Sequence, residues 1–145
     1  MIKFILILFL VSYSNKVGNN LLLQVIPSNE DLLLASVLQA ECNYCSDVDK
    51  HLIISSILNR CENENYPNNV EDILQAYSKT SFKKVSKTNL DFVLNFDKEI
   101  RNKEVLYFFN SSKSTNKSFI KKIRKKTDLI IKTKYHEYRG YFRKA

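Results

Sequence analysis

Two copies of the same helix-start signal constrain the fold of this chain most strongly. Ser28 is followed three residues later by Asp31, and Ser46 is followed at the same distance by Asp49. The Ser side chain can accept a backbone N–H of the first helical turn, and the acid can bond back to the Ser, so each pair is a variant of the capping box. Each signal opens an apolar pattern at helical spacing. The chain therefore predicts two helices that are joined by a short loop and pack antiparallel.

The rest of the chain predicts further helices and one short strand. Only two Gly and two Pro occur among 145 residues, which argues against a sandwich or barrel that needs many tight turns. The expected elements are helices at 28–42, 46–61 and 70–76, a helix from Thr88 to about Arg101, a strand at 105–110, a helix at 119–126 and an extended tail at 129–142. The predicted fold class is mainly α, within the α+β class.

The N-terminus predicts a secretory signal peptide, residues 1–14. Lys3 precedes an apolar run at 4–11, and small residues precede the expected cleavage site. The run is shorter than the ~20 residues that span a bilayer, and an uncleaved anchor is the alternative. A lead-in segment at 15–27 and a folded domain at 28–145 are expected to follow. The protein is therefore expected to be secreted, to the periplasm or the cell wall.

Positive charge is concentrated in the last third of the chain. From Ser111 onward the chain carries 12 Lys and Arg against two acidic residues, whereas the net charge of the whole chain is +8. Such a stretch attracts polyanions, and we expect it to contact an anionic wall polymer or outer-membrane surface. A solvated charged face is the alternative. We do not expect a nucleic-acid partner, because the predicted signal peptide exports the chain and only the stretch 132–143 interleaves aromatic and basic residues.

Three cysteines, Cys42, Cys45 and Cys61, allow one internal disulfide. Cys42 and Cys45 flank the first predicted turn, whereas Cys61 would lie roughly 20 Å away along the second helix at 1.5 Å per residue. We therefore expect Cys42 to pair with Cys45. The Cys-x-x-Cys spacing also fits a redox or zinc site, but no βαβ pattern precedes it and only His51 lies nearby as a further ligand. We predict neither a metal nor a cofactor.

One carboxylate continues an apolar helical stripe. Leu34, Val37 and Leu38 share one face of the first helix, and the next position on that face is Glu41. An acid at a helix C-terminus meets the negative end of the helix dipole, and partial removal of water would favour its protonated form. A solvated Glu is the alternative. A carboxylic acid held protonated beside a cleft can act as a general acid toward a glycosidic oxygen.

Six short motifs, taken together with their order along the chain, resemble those of one family of cell-wall enzymes. The motifs are Ala40-Glu41, Ile54-Ser55-Ser56-Ile57-Leu58-Asn59-Arg60, Tyr66-Pro67-Asn68-Asn69-Val70, Ile73-Leu74-Gln75-Ala76-Tyr77, Leu106-Tyr107-Phe108-Phe109-Asn110 and His136-Glu137-Tyr138. They are similar to the cell-wall hydrolase family of spore-cortex-lytic enzymes. The resemblance implies a lysozyme-like, mainly helical fold and a lytic transglycosylase that cleaves the β-1,4 bond between N-acetylmuramic acid and N-acetylglucosamine in peptidoglycan.

The resemblance also implies roles for individual residues. Glu41 matches the catalytic glutamate and would serve alone as general acid and base. The residues expected to bind substrate or line the cleft are Tyr77, Phe82, Tyr107, Asn110, His136 and Tyr138. Core packing is the alternative for Tyr77, Phe82 and His136, and Asn59 is expected to be structural. We expect a monomer that binds peptidoglycan glycan strands.

Two departures from the family pattern support a second interpretation. The family usually has Gln-Phe-Ser where this chain has Ser81-Phe82-Lys83, and the closing element Tyr135-His136-Glu137-Tyr138-Arg139 lacks the usual Gly before its His. A substrate contact is therefore altered or lost. The alternative function is a catalytically silent peptidoglycan- or glycan-binding module of the same fold.

Overall fold

The computed structural model of the chain describes residues 25–77 and 84–143. Its elements, in chain order, are the helices α1 (Asn29–Glu41), α2 (Asp47–Cys61), α3 (Val70–Tyr77) and α4 (Lys87–Leu94), the strand β1 (Tyr107–Phe109), the helix α5 (Lys117–Lys126) and the strands β2 (Thr127–Lys132) and β3 (Glu137–Phe142). This arrangement confirms the predicted mainly helical α+β class. The predicted signal peptide lies outside the described residues. Within those two ranges, no helix has the length and apolarity needed to cross a membrane.

Both predicted helix-start signals are confirmed by hydrogen bonds. Ser28 Oγ accepts the backbone N–H of Asp31 at 3.1 Å, and the Asp31 carboxylate accepts the Ser28 N–H at 2.8 Å. At the start of α2, Ser46 Oγ accepts the N–H of Asp49 at 3.2 Å. These bonds satisfy amide groups that the first turn of a helix leaves unpaired. Two short local patterns therefore decide where α1 and α2 begin.

The helices α1 and α2 supply the centre of the hydrophobic core. The buried residues of α1 and α2 in this core include Leu33, Leu34, Val37, Leu38, Ile53, Ile54 and Ile57. Full burial of a side chain of this size contributes about 1.5–3 kcal/mol. Because α1 also contacts α3 and α4, its position, and that of the residues at its end, is fixed by packing on several sides.

The helix α4 is shorter than predicted. We expected it to run from Thr88 to about Arg101, but it ends at Leu94. It begins after Ser86, whose Oγ accepts a backbone N–H of the first turn at 3.3 Å. At its C-terminus, the Asp91 carbonyl accepts the backbone N–H of the C-cap residue Asn95 at 3.1 Å and also its side-chain amide at 2.7 Å, and local bonds from Asn side chains favour such helix ends over helix interiors.

Three antiparallel strands form a small sheet in the order β1-β3-β2. In β3, Tyr138 lies opposite Phe108 of β1 and opposite Ile131 of β2. The segment predicted as an extended tail at 129–142 is therefore a hairpin, and its second strand is the centre of the sheet. The strand predicted at 105–110 is confirmed at its central residues.

The end of α2 holds the chain that leads into β1. Asn59 Nδ2 donates to the carbonyl oxygens of Asn102 and Val105 at 2.8 and 2.7 Å. The neighbouring Arg60 Nε donates to the carbonyl of Leu106 at 2.9 Å. Buried carbonyl groups without a partner are costly, so this Asn-Arg pair fixes the position of the strand relative to α2. The structural role predicted for Asn59 is confirmed.

Candidate active site

A cleft of about 880 Å³ is lined by residues of α1, α2, α3, α5, β1 and β3 and by the loops around them. Its volume lies within the roughly 300–1,000 Å³ that is typical of ligand sites. The aromatic residues of the lining are Tyr66, Tyr107, Phe108, Phe109, Phe119, Tyr141 and Phe142. The cleft thus combines seven aromatic side chains with aliphatic ones and with eight polar or charged ones, and polar groups are those that orient a ligand.

Glu41 lies at the edge of this cleft. It is the last residue of α1 and follows Val37 by one turn, and both residues line the cleft. Val37 is buried, but Glu41 is exposed. The expectation that this carboxylate is held partly out of water is therefore not met, because the buried stretch of α1 ends at Leu38 and the Glu41 side chain projects into solvent although Cys42, which follows it, is buried.

Glu41 is the one carboxylate in the cleft lining. All 15 Asp and Glu of the chain lie within residues 25–77 and 84–143, and Glu41 alone among them lines the cleft. A glycosidase that activates water normally uses two carboxylates on opposite sides of the scissile bond. This cleft offers a single carboxyl group, that of Glu41, which can donate a proton when protonated and accept one when ionised.

A disulfide follows Glu41 directly. Cys42 is bonded to Cys45, and Cys61 is free, so the predicted pairing is confirmed. The Cys42 N–H donates to the carbonyl of Leu38 at 2.9 Å. The covalent bond and this hydrogen bond together hold the end of α1 from which Glu41 projects.

The disulfide also lies close to a histidine. The two sulfur atoms and a ring nitrogen of His136 lie within 4.8 Å of one another. Zinc binds thiolates, not disulfide sulfurs. In the bonded state, Cys42 and Cys45 therefore supply no ligand to a metal, and this cluster is a packed contact between the turn and His136, the residue before β3.

His136 and Tyr138, which were predicted to bind substrate, are buried and do not belong to the described cleft lining. Tyr138 Oη donates to Asp49 Oδ1 at 2.8 Å, and His136 Nδ1 lies 3.4 Å from the same oxygen. Burial lowers the pKa of His136, and the carboxylates of Asp49 and Glu41 partly oppose this effect. These contacts favour the packing alternative for His136, and they give Tyr138 a similar place, in which it holds the closing strand against the start of α2.

Asp49 organises this buried network, although the sequence pattern marks it only as a helix-start residue. Its Oδ1 also accepts a hydrogen bond from Thr133 Oγ1 at 2.6 Å, and its Oδ2 accepts one from Ser46 Oγ at 3.0 Å. Burial raises the pKa of the Asp49 carboxyl, but the hydrogen bonds from Thr133, Tyr138 and Ser46 outweigh burial and hold this pKa below its usual value. Thr133 and Tyr138 lie 84 and 89 residues away in the chain, so no local pattern could reveal this role.

Tyr107 and Asn110, two other predicted binding residues, both line the cleft. Tyr107 Oη lies 2.6 Å from Tyr66 Oη, and the Tyr107 ring stacks on Phe142 with ring centres 5.7 Å apart. Asn110 Oδ1 accepts the backbone N–H of Lys113 at 3.2 Å. Both side chains are therefore held in place by neighbours within the cleft wall, and their contact with substrate stays a prediction.

The last two predicted binding residues are Tyr77 and Phe82. Tyr77 is the final residue of α3, and this helix contributes Ile73 and Leu74 to the cleft lining. Phe82 lies outside the described residues, together with the departure from the family pattern at Ser81. The roles of Tyr77 and Phe82 stay predictions.

The architecture is that of a lysozyme-like, mainly helical domain with a small sheet. Among solved structures, the chain is similar to the catalytic domain of the germination-specific lytic transglycosylase SleB from Bacillus anthracis, with a TM-score of 0.58 and 18% sequence identity over 82% of this chain and 100% of that chain. No protein-family model and no curated protein matches the chain. The structural likeness confirms the fold expected from the motifs and supports the resemblance on which that expectation was based.

Proposed function

We propose that the protein is a peptidoglycan-cleaving glycosidase that acts as a lytic transglycosylase on the bond between N-acetylmuramic acid and N-acetylglucosamine. The observation that carries this proposal is the position of Glu41, the single carboxylate in the lining of the described cleft, in a fold similar to a lytic transglycosylase catalytic domain. The aromatic wall supports it, since the apolar faces of sugar rings pack well against aromatic rings.

In this mechanism, protonated Glu41 donates its proton to the glycosidic oxygen while the bond from that oxygen to C1 of the muramic residue breaks. The Glu41 carboxylate then removes the proton from the C6 hydroxyl of the same muramic residue, and O6 forms a bond to C1. The products are a 1,6-anhydro-muramic end and a free C4 hydroxyl on the N-acetylglucosamine. Water is not consumed and Glu41 returns to its protonated form, so one carboxylate is sufficient.

The test is a digestion of purified peptidoglycan followed by mass spectrometry of the products. The wild type is compared with Glu41→Gln and with Glu71→Gln, a control that removes an exposed carboxylate of α3 outside the cleft lining. We expect anhydro-muropeptides from the wild type and from Glu71→Gln. With Glu41→Gln their rate of formation should fall by about 100-fold or more, which is the usual contribution of a general acid–base group.

Each other product pattern has a distinct meaning. Reducing ends that carry one additional water would identify a hydrolase and would contradict the single-carboxylate mechanism. If neither the wild type nor any variant forms products but the wild type still sediments with cell walls, the protein is the silent glycan-binding module. Circular dichroism of Glu41→Gln establishes that its loss of activity is not a loss of folding.

We also propose that the basic surface of α5 holds the enzyme on an anionic wall outside the cytoplasm, in agreement with the predicted signal peptide. Lys121 and Lys125 are exposed and do not line the cleft. Exposed charges act over only about 8 Å at physiological ionic strength, so sedimentation with walls should decrease as salt increases. Lys121→Gln combined with Lys125→Gln should weaken sedimentation more than cleavage of soluble fragments. Equal sedimentation of wild type and variant at every salt concentration would contradict this attachment.

A further inference from the structure

The cleft carries more positive than negative charge. Arg60, Lys113 and Lys122 line it together with Glu41. The Arg60 side chain is only 9% exposed, and its Nε donates to the Leu106 carbonyl at 2.9 Å, so this guanidinium serves the fold. Lys113 and Lys122 are both exposed. Lys113 and Lys122 are therefore the exposed cationic residues of the described cleft lining.

Lys113 is fixed by the turn that follows β1. The Asn110 carbonyl accepts the backbone N–H groups of Lys113 and Ser114 at 3.2 and 2.9 Å, and Asn110 Oδ1 accepts the Lys113 N–H as well, at 3.2 Å. Burial is the largest cause of the lowered pKa of His136; Lys113 adds to this lowering, and Glu41 opposes it. Glu41, Asn110 and Lys113 all line the cleft, so this turn holds the backbone of Lys113 in the same wall that carries Glu41.

Lys122 lies on the face of α5 that is turned toward the cleft. Phe119, Lys122 and Ile123 all line the cleft, and their spacing of three and four residues defines one side of a helix. Ile123 is buried and anchors this side of α5. Lys117 and Lys121 belong to the same helix, but neither lines the cleft.

We propose that Lys113 and Lys122 bind carboxylate groups carried on the muramic residues of the glycan strand, and that the enzyme therefore discriminates against strands whose carboxylates are neutralised. This inference rests on the proposed function. The sugar rings and N-acetyl groups of peptidoglycan are uncharged, so its carboxylates belong to the stem peptide or, on a muramic residue without a stem peptide, to the free lactyl group. An ammonium group recognises either as a point charge.

The test compares three forms of soluble glycan fragments. Because the substrate is soluble, attachment of α5 to intact walls does not contribute to the measured rate. The first form keeps its stem peptides. In the second form an amidase has hydrolysed the amide bond that joins the stem peptide to the lactyl group, which releases the peptide and frees one lactyl carboxylate. In the third form, a carbodiimide and an amine have converted the carboxylates of the peptide-bearing fragment to neutral amides. The measured quantity is kcat/KM for each form.

We expect the wild type to cleave the native fragment about tenfold more efficiently than the neutral one, since two exposed ion pairs contribute modestly and additively. Lys113→Gln combined with Lys122→Gln should lower kcat/KM for the native fragment about tenfold. The ratio of kcat/KM for the native fragment to kcat/KM for the neutral fragment should then be close to one. Higher salt should reduce the ratio for the wild type. The amidase-treated fragment carries one freed lactyl carboxylate in place of the carboxylates of the stem peptide. A native-like rate on it would show that a carboxylate on the lactyl group is sufficient for recognition, and a reduced rate would show that the stem-peptide carboxylates are the groups bound.

The matched control is Lys117→Gln, which removes an exposed charge of the same helix outside the cleft lining and should leave the ratio unchanged. Equal kcat/KM of the wild type on native and neutral fragments would overturn the inference, while anhydro products would still support the proposed function. If no fragment is cleaved, the proposed function fails, and calorimetric titration with the native and neutral fragments decides the inference separately. A preference for the native fragment that disappears in the double variant supports it, and equal affinities overturn it.

Discussion

Replacement of Asp49 by Asn removes one charge from the contact between the closing strand and α2 and keeps the shape of the side chain. The carboxylate is 2% exposed and accepts hydroxyl hydrogen bonds from Ser46 at 3.0 Å, Thr133 at 2.6 Å and Tyr138 at 2.8 Å. A hydrogen bond to a charged group contributes about 1.5–3 kcal/mol, and a neutral one about 0.5–1.5 kcal/mol. We therefore expect a loss of about 1 kcal/mol for each of the three bonds, or about 3 kcal/mol in total.

The size of this loss should depend on pH. Although burial raises the pKa of the Asp49 carboxyl, the three hydroxyl groups bonded to it hold the folded-state pKa below the ordinary value of 3.8. A carboxyl group with a lowered folded-state pKa stabilises the fold fully above its unfolded pKa, and this stabilisation is lost as pH falls through the folded value. Asn does not titrate. The difference in unfolding free energy between wild type and variant should therefore be full at neutral pH and should shrink below about pH 4.

Urea denaturation followed by circular dichroism, at neutral pH and near pH 3, measures both quantities. The matched control is Asp47→Asn, because Asp47 is an exposed acid in the same first turn of α2, where a charge contributes about 0.3–1 kcal/mol. Tyr138→Phe removes one donor and should cost about 1–2 kcal/mol. If Asp49→Asn and Asp47→Asn have the same effect at neutral pH, or if the difference from wild type does not change with pH, the structural role argued for Asp49 is refuted.

Cys42→Ser combined with Cys45→Ser should lower the unfolding free energy by about 2 kcal/mol, since the disulfide closes a loop of only a few residues. Urea denaturation of the wild type in reductant should give the same unfolding free energy as the double variant. A difference between these two values would contradict this account. Cys61 should react slowly with a thiol reagent in the folded protein near neutral pH, because burial raises the pKa of its thiol to about 11. The rate of modification should rise with pH toward that value, and rapid modification of the folded protein near neutral pH would contradict the burial. Asn59→Ala should destabilise the fold by about 2–3 kcal/mol, because the buried carbonyl of Val105 loses its side-chain donor. Surface substitutions usually change the unfolding free energy by less than about 0.5 kcal/mol, so a change of that size, measured by thermal or urea denaturation, would contradict a structural role.

Helix starts, the disulfide pairing and the candidate carboxylate could be predicted from the sequence because each depends on residues that are close along the chain. Capping at Ser28 and Ser46 operates within one helical turn. The pairing of Cys42 with Cys45 follows from their separation by three residues and from the length of α2, which places Cys61 at its far end. Glu41 stands out because it continues an apolar stripe at helical spacing, and the structure places it in the cleft lining.

Only the tertiary structure decided how the last segment pairs and which predicted site residues are buried. Alternating residues at 129–142 are compatible with an extended tail and with a hairpin, because strand pairing depends on partners far away in the sequence. Tyr138 is buried between two such partners and bonded to Asp49 across 89 residues. The exposure of Glu41 was decided in the same way, since solvent exposure depends on where the packed neighbours of a helix end, which local spacing does not specify.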